Sequence, residues 1–420
     1  MKVRSVRGQA AVLACANALV RGLGFGLHVL LSRMLGAEAL GVMELSHSAH
    51  MLSIAPVTAG LPAAVSRLTA VRKDASALRA GRRLTLRMSA ALIPLWIALA
   101  PVMARLLGDA RTLLPLWVFT PCIGVLGLSA VYNGYCYGCG HVWPPALGTL
   151  TEQILRFGLS ALLLSLLPGI GTAGRAAVPV AATLLAEAAA LGVTVLLLRR
   201  EGAALSAPAA PGLQTEALRL ALPLTATRLA QTLSRPLTAA LLPRLLTVSG
   251  MTAAGAASAV GMLHGMVLPV LLLPGIFTAA VGMVGTPAIA RRQEGALRGA
   301  AMRLFAASLA CGLAGWAAVR AAAPFLAGTV YRLPELAGLF RAAAPLTLLF
   351  ALQQAAGTLH AGLGQQKRTL LPTLAGTALS LYLMCRWASS PLRLYGAVYA
   401  LIVGRAAGLA WELGEALALL

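Results

Sequence analysis

Apolar residues arrive along this chain in long, nearly unbroken runs, with charge confined to short gaps between them. Runs of about 18 or more apolar residues, enough to cross a ~30 Å hydrocarbon core as helix, recur from end to end. About twelve such spans are predicted, over 8–32, 40–65, 86–107, 113–136, 146–167, 177–198, 218–243, 254–286, 302–322, 339–362, 369–386 and 394–416. The runs are rich in Leu and Ala and lack the weak alternation of an outer-membrane barrel strand, so helices are predicted. The fold class is an all-α polytopic membrane protein. The least apolar linker, 199–216, lies at mid-chain and separates six spans from six. This organisation gives an N-terminal bundle over 1–200, a cytoplasmic linker over 201–216 and a C-terminal bundle over 217–420. Short patterns recur in order in the two halves. Leu31-Ser32-Arg33-Met34-Leu35 is echoed by Leu242-Pro243-Arg244-Leu245-Leu246, and Gly138-Cys139-Gly140 by Gly362-Leu363-Gly364. An even number of spans per half makes the repeats parallel, related by an axis along the membrane normal. Two such six-helix bundles around a central cavity are what alternating access requires.

Composition removes other classes. Of 420 residues, 59% are hydrophobic and 11% charged, and the mean hydropathy is +0.82. A soluble globule carries roughly a quarter charged residues, and a disordered chain needs low hydrophobicity; both are excluded. The net charge of +22 would suit nucleic-acid binding, but a basic groove needs a soluble scaffold that is not present here. Topology accounts for much of it. Arg67, Arg72, Lys73, Arg79, Arg82 and Arg83 share one gap, and Arg199, Arg200, Arg291, Arg292, Lys367 and Arg368 fall in later gaps on the same side. The opposite gaps hold fewer cations, so the positive-inside rule places both termini in the cytoplasm of a multi-pass cytoplasmic-membrane protein. The basic start Met1-Lys2-Val3-Arg4 superficially resembles a signal peptide. Arg21, Arg33 and the nearby glycines argue for a retained helix.

Ionisable groups inside spans are costly and mark candidate sites. Asn17, Arg21, Gly24 and His28 fall on one helical face of the first span; Arg228, Gln231 and Arg235 fall on one face of the seventh. Each half therefore opens with a cationic and polar stripe, suited to an anionic headgroup because arginine offers forked donors to phosphate. Snorkelling or pairing across the bundle is the alternative. Glu152 and Arg156 stand at the i, i+4 spacing of an ion pair, read either as structural or as part of coupling. Glu44, His47 and His50 recur every third residue and read as a proton relay or a polar strip on a cavity wall; no second ligand set supports a metal there.

Catalytic signatures are absent from the sequence. There is no Walker A lysine motif, Gly-x-Ser-x-Gly elbow or His-Glu-x-x-His, so neither an enzyme nor direct use of ATP is predicted, and no cofactor or metal. Cys136 and Cys139 form a lone CxxC, a weak zinc signal even with His141 nearby. Asp74 and Asp109 read as loop residues, leaving Glu44, Glu152, Glu187 and Glu412 as the main carboxylates for any cation coupling.

Three tracts then resemble a known family. They are Arg21-Gly22-Leu23-Gly24-Phe25 with Gly60-Leu61-Pro62-Ala63-Ala64-Val65-Ser66-Arg67, then Tyr132-Asn133-Gly134-Tyr135 with Glu152-Gln153-Ile154-Leu155-Arg156, and Leu242-Pro243-Arg244 with Gly261-Met262 and Gly265-Met266. Their order is similar to the stage V sporulation protein B family of polysaccharide and lipid-linked oligosaccharide exporters. The resemblance implies membership of the multidrug/oligosaccharidyl-lipid/polysaccharide exporter superfamily, whose fold is two six-helix bundles about a cavity. It further implies a flippase for an undecaprenyl-pyrophosphate-linked saccharide of the lipid II, spore-cortex or polysaccharide-precursor kind, with Arg21, Arg228 and Arg235 at the headgroup. Membrane lipids and cell-wall synthesis enzymes are the expected partners. Met43-Glu44 departs from the aromatic and neutral polar pair the family pattern leads one to expect. A cation-coupled multidrug exporter is the alternative, disfavoured by the cationic stripes and the 5% aromatic content. A non-transporting membrane scaffold is a third reading.

Overall fold

A computed structural model describes residues 6–200, 212–232, 234–275, 277–278 and 296–418, with side chains from Leu19 onward except at 227, 230, 231, 234, 235, 296 and 366. All of the regular structure among these residues is helical. The first helix, α1 (Val6–Thr58), counts 53 residues. At 1.5 Å per residue that is about 80 Å, more than twice a hydrocarbon core, so α1 has to turn. It turns at Gly36, where φ is 75° and ψ 171°, a backbone conformation that glycine reaches without a Cβ clash. The Arg175 guanidinium donates to the carbonyl of Met34, meeting one of the acceptors released at the bend.

α2 (Leu61–Arg72) begins with Pro62 in its first turn and closes on Lys73 in the left-handed region, φ 58°. Asp74 then accepts from the backbone N–H of Ser76 at 2.9 Å and from its hydroxyl, tying down the start of α3 (Ser76–Leu107). α4 (Leu113–Phe119) and α5 (Cys122–Gly138) meet at a 45° bend, followed by α6 (Trp143–Leu166) and α7 (Thr172–Arg200). Beyond residue 211 come α8 (Leu213–Thr232), α9 (Ser234–Val248) and α10 (Ala253–Leu271), the last with a π-helical stretch over Gly261–Val267. α11 (Ala296–Phe325), α12 (Leu336–Ala343), α13 (Pro345–Gly362), α14 (Leu370–Trp387) and α15 (Arg393–Leu417) complete the described chain.

Helix fills most of every predicted span as far as it is described, with breaks at 59–60, 120–121, 272–274 and 344. By length and composition seven of these helices are able to cross a membrane, or eight if the bent α4–α5 pair is one span. Leu19–Arg72 counts once in that tally although its 54 residues contain two predicted spans. The class is therefore a helical multi-pass membrane protein.

The chain forms two compact units. Unit 1 comprises Met1–Leu35 and Val42–Pro236, and unit 2 comprises Gly36–Gly41 and Leu237–Leu420. In unit 1, Leu61, Val65, Leu78, Val131 and Leu198 form a buried core that also takes in Leu213 and Ala217 at the start of α8. The exposed Arg72–Glu216 ion pair, at 3.5 Å, lies at the same end. α5 passes α2 so closely that a Cβ on Gly134 would stand 2.4 Å from the carbonyl oxygen of Pro62. In unit 2, α14 and α15 approach through Gly376, Gly404 and Gly408. Between lipid-embedded helices there is no hydrophobic drive, and close contact of small residues supplies dispersion energy instead.

Two stability predictions follow from this packing. Gly134→Ala must push backbone from backbone, and should cost about 1–3 kcal/mol, read as a lowered thermal midpoint in detergent. An unchanged midpoint would show that the α2–α5 crossing yields freely. The Ser76 hydroxyl beside Asp74 holds that carboxyl below its usual range. The stabilisation this brings is complete above the unfolded pKa of ~4 and disappears as pH falls through the lower folded value. Asp74→Asn should therefore flatten the loss of stability on acidification below about pH 4, measured as midpoint against pH.

Candidate functional site

The first predicted stripe runs along α1, and the structure sets it against α6. A Cβ on Gly24 would lie 3.8 Å from Oε1 of Gln153, and one on Gly26 would lie 3.5 Å from the Phe157 ring. The absence of side chains at 24 and 26 lets α6 approach there, so the Arg21–His28 stripe and the Glu-Gln-x-x-Arg segment adjoin. Arg21 is exposed and His28 half-buried. On the second stripe Arg228 is exposed on α8. Among the described residues neither Arg21 nor Arg228 has an ion-pair partner. The side chains of Asn17, Gln231 and Arg235 lie outside the described residues.

α6 carries a closed network. Arg156 Nη1 stands 3.0 Å from Oε1 of Glu152, whose side chain is 8% exposed. Arg156 Nη2 also donates to Oε1 of Gln153 at 2.9 Å, and Gln153 Nε2 donates to Oε2 of Glu152 at 3.0 Å. One helical turn thus gives Oε2 of Glu152 a hydrogen bond and Oε1 an ion-pair contact, which offsets part of the cost of burying the charge. Glu152 also lines a cavity of about 310 Å³ within unit 1, together with Glu187 and Thr194 of α7, Asn133 of α5 and Ile54 and Thr58 of α1.

Glu44 and His47 do not reach this cavity. They sit further back along α1, with Glu44 buried and His47 half-buried. Nearby, Ser46 Oγ donates to Val42 O at 2.8 Å and lies 3.4 Å from Thr112 O. His50 is fully buried and stacked on Phe119, ring centroids 3.8 Å apart and planes within 10°. This strip is packed against the α4 region, and the structure does not bring it together with Glu152 and Arg156. Among the described residues no three His, Cys, Asp or Glu side chains group as metal ligands. Asp109 is a loop residue as predicted, held by Arg111 at 2.7 Å.

Sequence reasoning missed one ionic centre. Arg405 of α15 donates to Oε1 of Gln353 on α13 at 3.0 Å, and its guanidinium lies 4.6 Å over the Phe350 ring. The available signal was a lone arginine inside an apolar run with a carboxylate seven residues on, Glu412. Glu412 accepts from Thr373 at 3.2 Å.

Residues 6–293 match the family described as polysaccharide biosynthesis protein. The chain belongs to this family. The chain is 26% identical over 413 residues to the stage V sporulation protein B of Bacillus subtilis (strain 168), covering 94% of this chain and 80% of that protein. The sequence resemblance is thereby confirmed. Among solved structures the fold is similar to the lipid II flippase MurJ in an inward closed conformation, with a TM-score of 0.74 at 13% identity over 96% of this chain and 86% of that one. It is also similar to an inward-facing multidrug resistance MATE family transporter of the MOP superfamily, with a TM-score of 0.73 at 18% identity over 96% and 95% of the two chains. This family member therefore has the helical membrane-transporter fold that the resemblance implied.

The α6 network makes a directional prediction. Arg156→Ala leaves Glu152 buried without its cation and should cost on the order of 3 kcal/mol. Adding Glu152→Gln to that variant should restore most of the loss, since the stranded charge is then gone. Thermal midpoints of the two variants check this, and equal midpoints would show that the pair is not the network's main tie.

Proposed function

We propose that this protein is a flippase moving a lipid-linked anionic saccharide, of the undecaprenyl-pyrophosphate class, across the cytoplasmic membrane by alternating access. The observation that carries the reading is the pair of exposed arginines, Arg21 on the long apolar α1 and Arg228 on α8, each without an ion-pair partner among the described residues. An arginine held in a span at such cost requires water, a headgroup or a substrate anion. A pyrophosphate matches the forked donors of two guanidiniums. His28, Gln231 and Arg235 extend the same two stripes and complete the site in this reading. The names of the relatives, a sporulation protein and a lipid II flippase, agree with it.

The saccharide and pyrophosphate pass through the protein while the polyprenyl tail stays in lipid. With both termini cytoplasmic, a potential negative inside favours outward movement of the anion by about 2.3 kcal/mol per charge per 100 mV. Glu152 and Arg156 neutralise each other within one turn of α6, beside the Arg21 stripe, and Glu44 and His47 belong to the packed strip on α1. The chain works as a transporter without bond chemistry of its own. The multidrug alternative draws on the likeness to the MATE fold, but its organic-cation substrates would meet unpaired positive charge at the proposed site.

Arg21→Ala and Arg228→Ala should each reduce translocation of labelled lipid-linked saccharide in liposomes at least about tenfold, the equivalent of one lost charge-assisted contact. Arg21→Lys should recover part of the loss. Wild-type rates in both alanine variants would remove the headgroup site.

A further inference from the structure

The ionic centre of unit 2 carries more hydrogen-bonding capacity than its own contacts use. Arg405 Nη1 donates to Oε1 of Gln353 at 3.0 Å, while the Nε2 hydrogens of Gln353 have no acceptor among the described residues. An amide whose oxygen already accepts from a guanidinium is polarised, and its N–H groups donate more strongly. Gln354, the next residue, is exposed, and its side chain has no hydrogen-bond partner among the described residues. Both amides stand at the middle of α13, within the apolar stretch Leu336–Gly362. A polar group left open at that depth is costly, and marks a water-filled or substrate path.

The face that carries these amides is open. With a helical period of about 3.6 residues, Phe350, Gln353, Gln354, Gly357 and Ala361 share one side of α13, and each is half-buried or exposed. A Cβ on Gly357 would meet nothing within 4 Å. Another side of α13 is closed against α11, where a Cβ on Gly312 would stand 2.8 Å from Leu348 and 3.0 Å from Ala351.

Charge decides what the open face takes. Arg405 interacts electrostatically with Glu412, about two turns along α15, so the two charges cancel and the groups left to a ligand are neutral amides. A phosphate would find no free cation on this face. Sugar hydroxyls both donate and accept, as the Gln354 amide does, and they fit it without a counter-charge.

We propose that this face of α13 binds the uncharged sugar of the lipid-linked substrate. Gln353, held by Arg405, donates to the sugar; Gln354 donates and accepts, and Gly357 leaves room for the ring. The site rests on the flippase reading and adds to it the part of the protein that recognises the saccharide.

The test compares two lipids titrated against the purified full chain in detergent by thermophoresis: undecaprenyl pyrophosphate, and undecaprenyl-pyrophosphoryl N-acetylglucosamine. The wild type should bind the sugar-bearing lipid more tightly. Gln354→Ala should weaken that binding about tenfold and leave the sugar-free lipid unchanged. Gly357→Leu meets no neighbour at its Cβ and improves helix propensity, so it should fold normally and lose the same selectivity by filling the space. Equal wild-type affinity for the two lipids, or sugar-bearing affinity indifferent to both substitutions, overturns the site. Losses of equal size for both lipids overturn it as well, because they report on structure or on the headgroup. Arg21→Ala should weaken both lipids alike, so the headgroup reading and the sugar site fail on different results.

Discussion

A charge placed among apolar helices has to be satisfied from within the protein, because hydrocarbon offers no partner. The arrangement of unit 1 follows from how that requirement is met or left open. Glu152 is met within its own helix turn by Arg156 and Gln153. Arg175 is met by a main-chain carbonyl at the bend after Met34. In unit 2, Arg405 is met by an amide and an aromatic face. Arg21 and Arg228 stand apart because they are exposed and lack such partners among the described residues. The difference between satisfied and unsatisfied charge separates residues that hold the helices from residues available to a ligand.

Close helix approach makes these satisfactions geometrically available. α1 admits Gln153 and Phe157 where it has glycine at 24 and 26, so the network on α6 lies next to the Arg21 stripe. α5 lies against the Pro62 carbonyl at Gly134, one position after Asn133 on the cavity wall. Small residues at these crossings replace the hydrophobic drive that lipid removes. The same small residues position the polar groups that line the cavity.

Family membership and fold do not by themselves specify a substrate. Similar helical folds carry the titles of a lipid II flippase and of multidrug transporters, so substrate has to be argued from the site. Here the sign of the unpaired charge decides. In the proposed site, exposed guanidiniums without ion-pair partners favour an anionic headgroup, whereas an organic cation would call for carboxylates and aromatic walls.

The sequence alone determined the class and most of where helix runs, because both depend on local hydrophobicity and on the 3.6-residue period. The Glu152–Arg156 pair was legible for the same reason, since its partners lie one turn apart on one helix. What crosses between helices was not legible. That Gly24 meets Gln153, that Glu187 and Asn133 share a wall with Glu152 while Glu44 and His47 do not, and that Arg405 finds Gln353 fifty-two positions away depend on which faces of distant helices turn toward each other. A one-dimensional pattern states which face is polar. Only tertiary packing states what that face touches, and therefore whether each charge is spent or free.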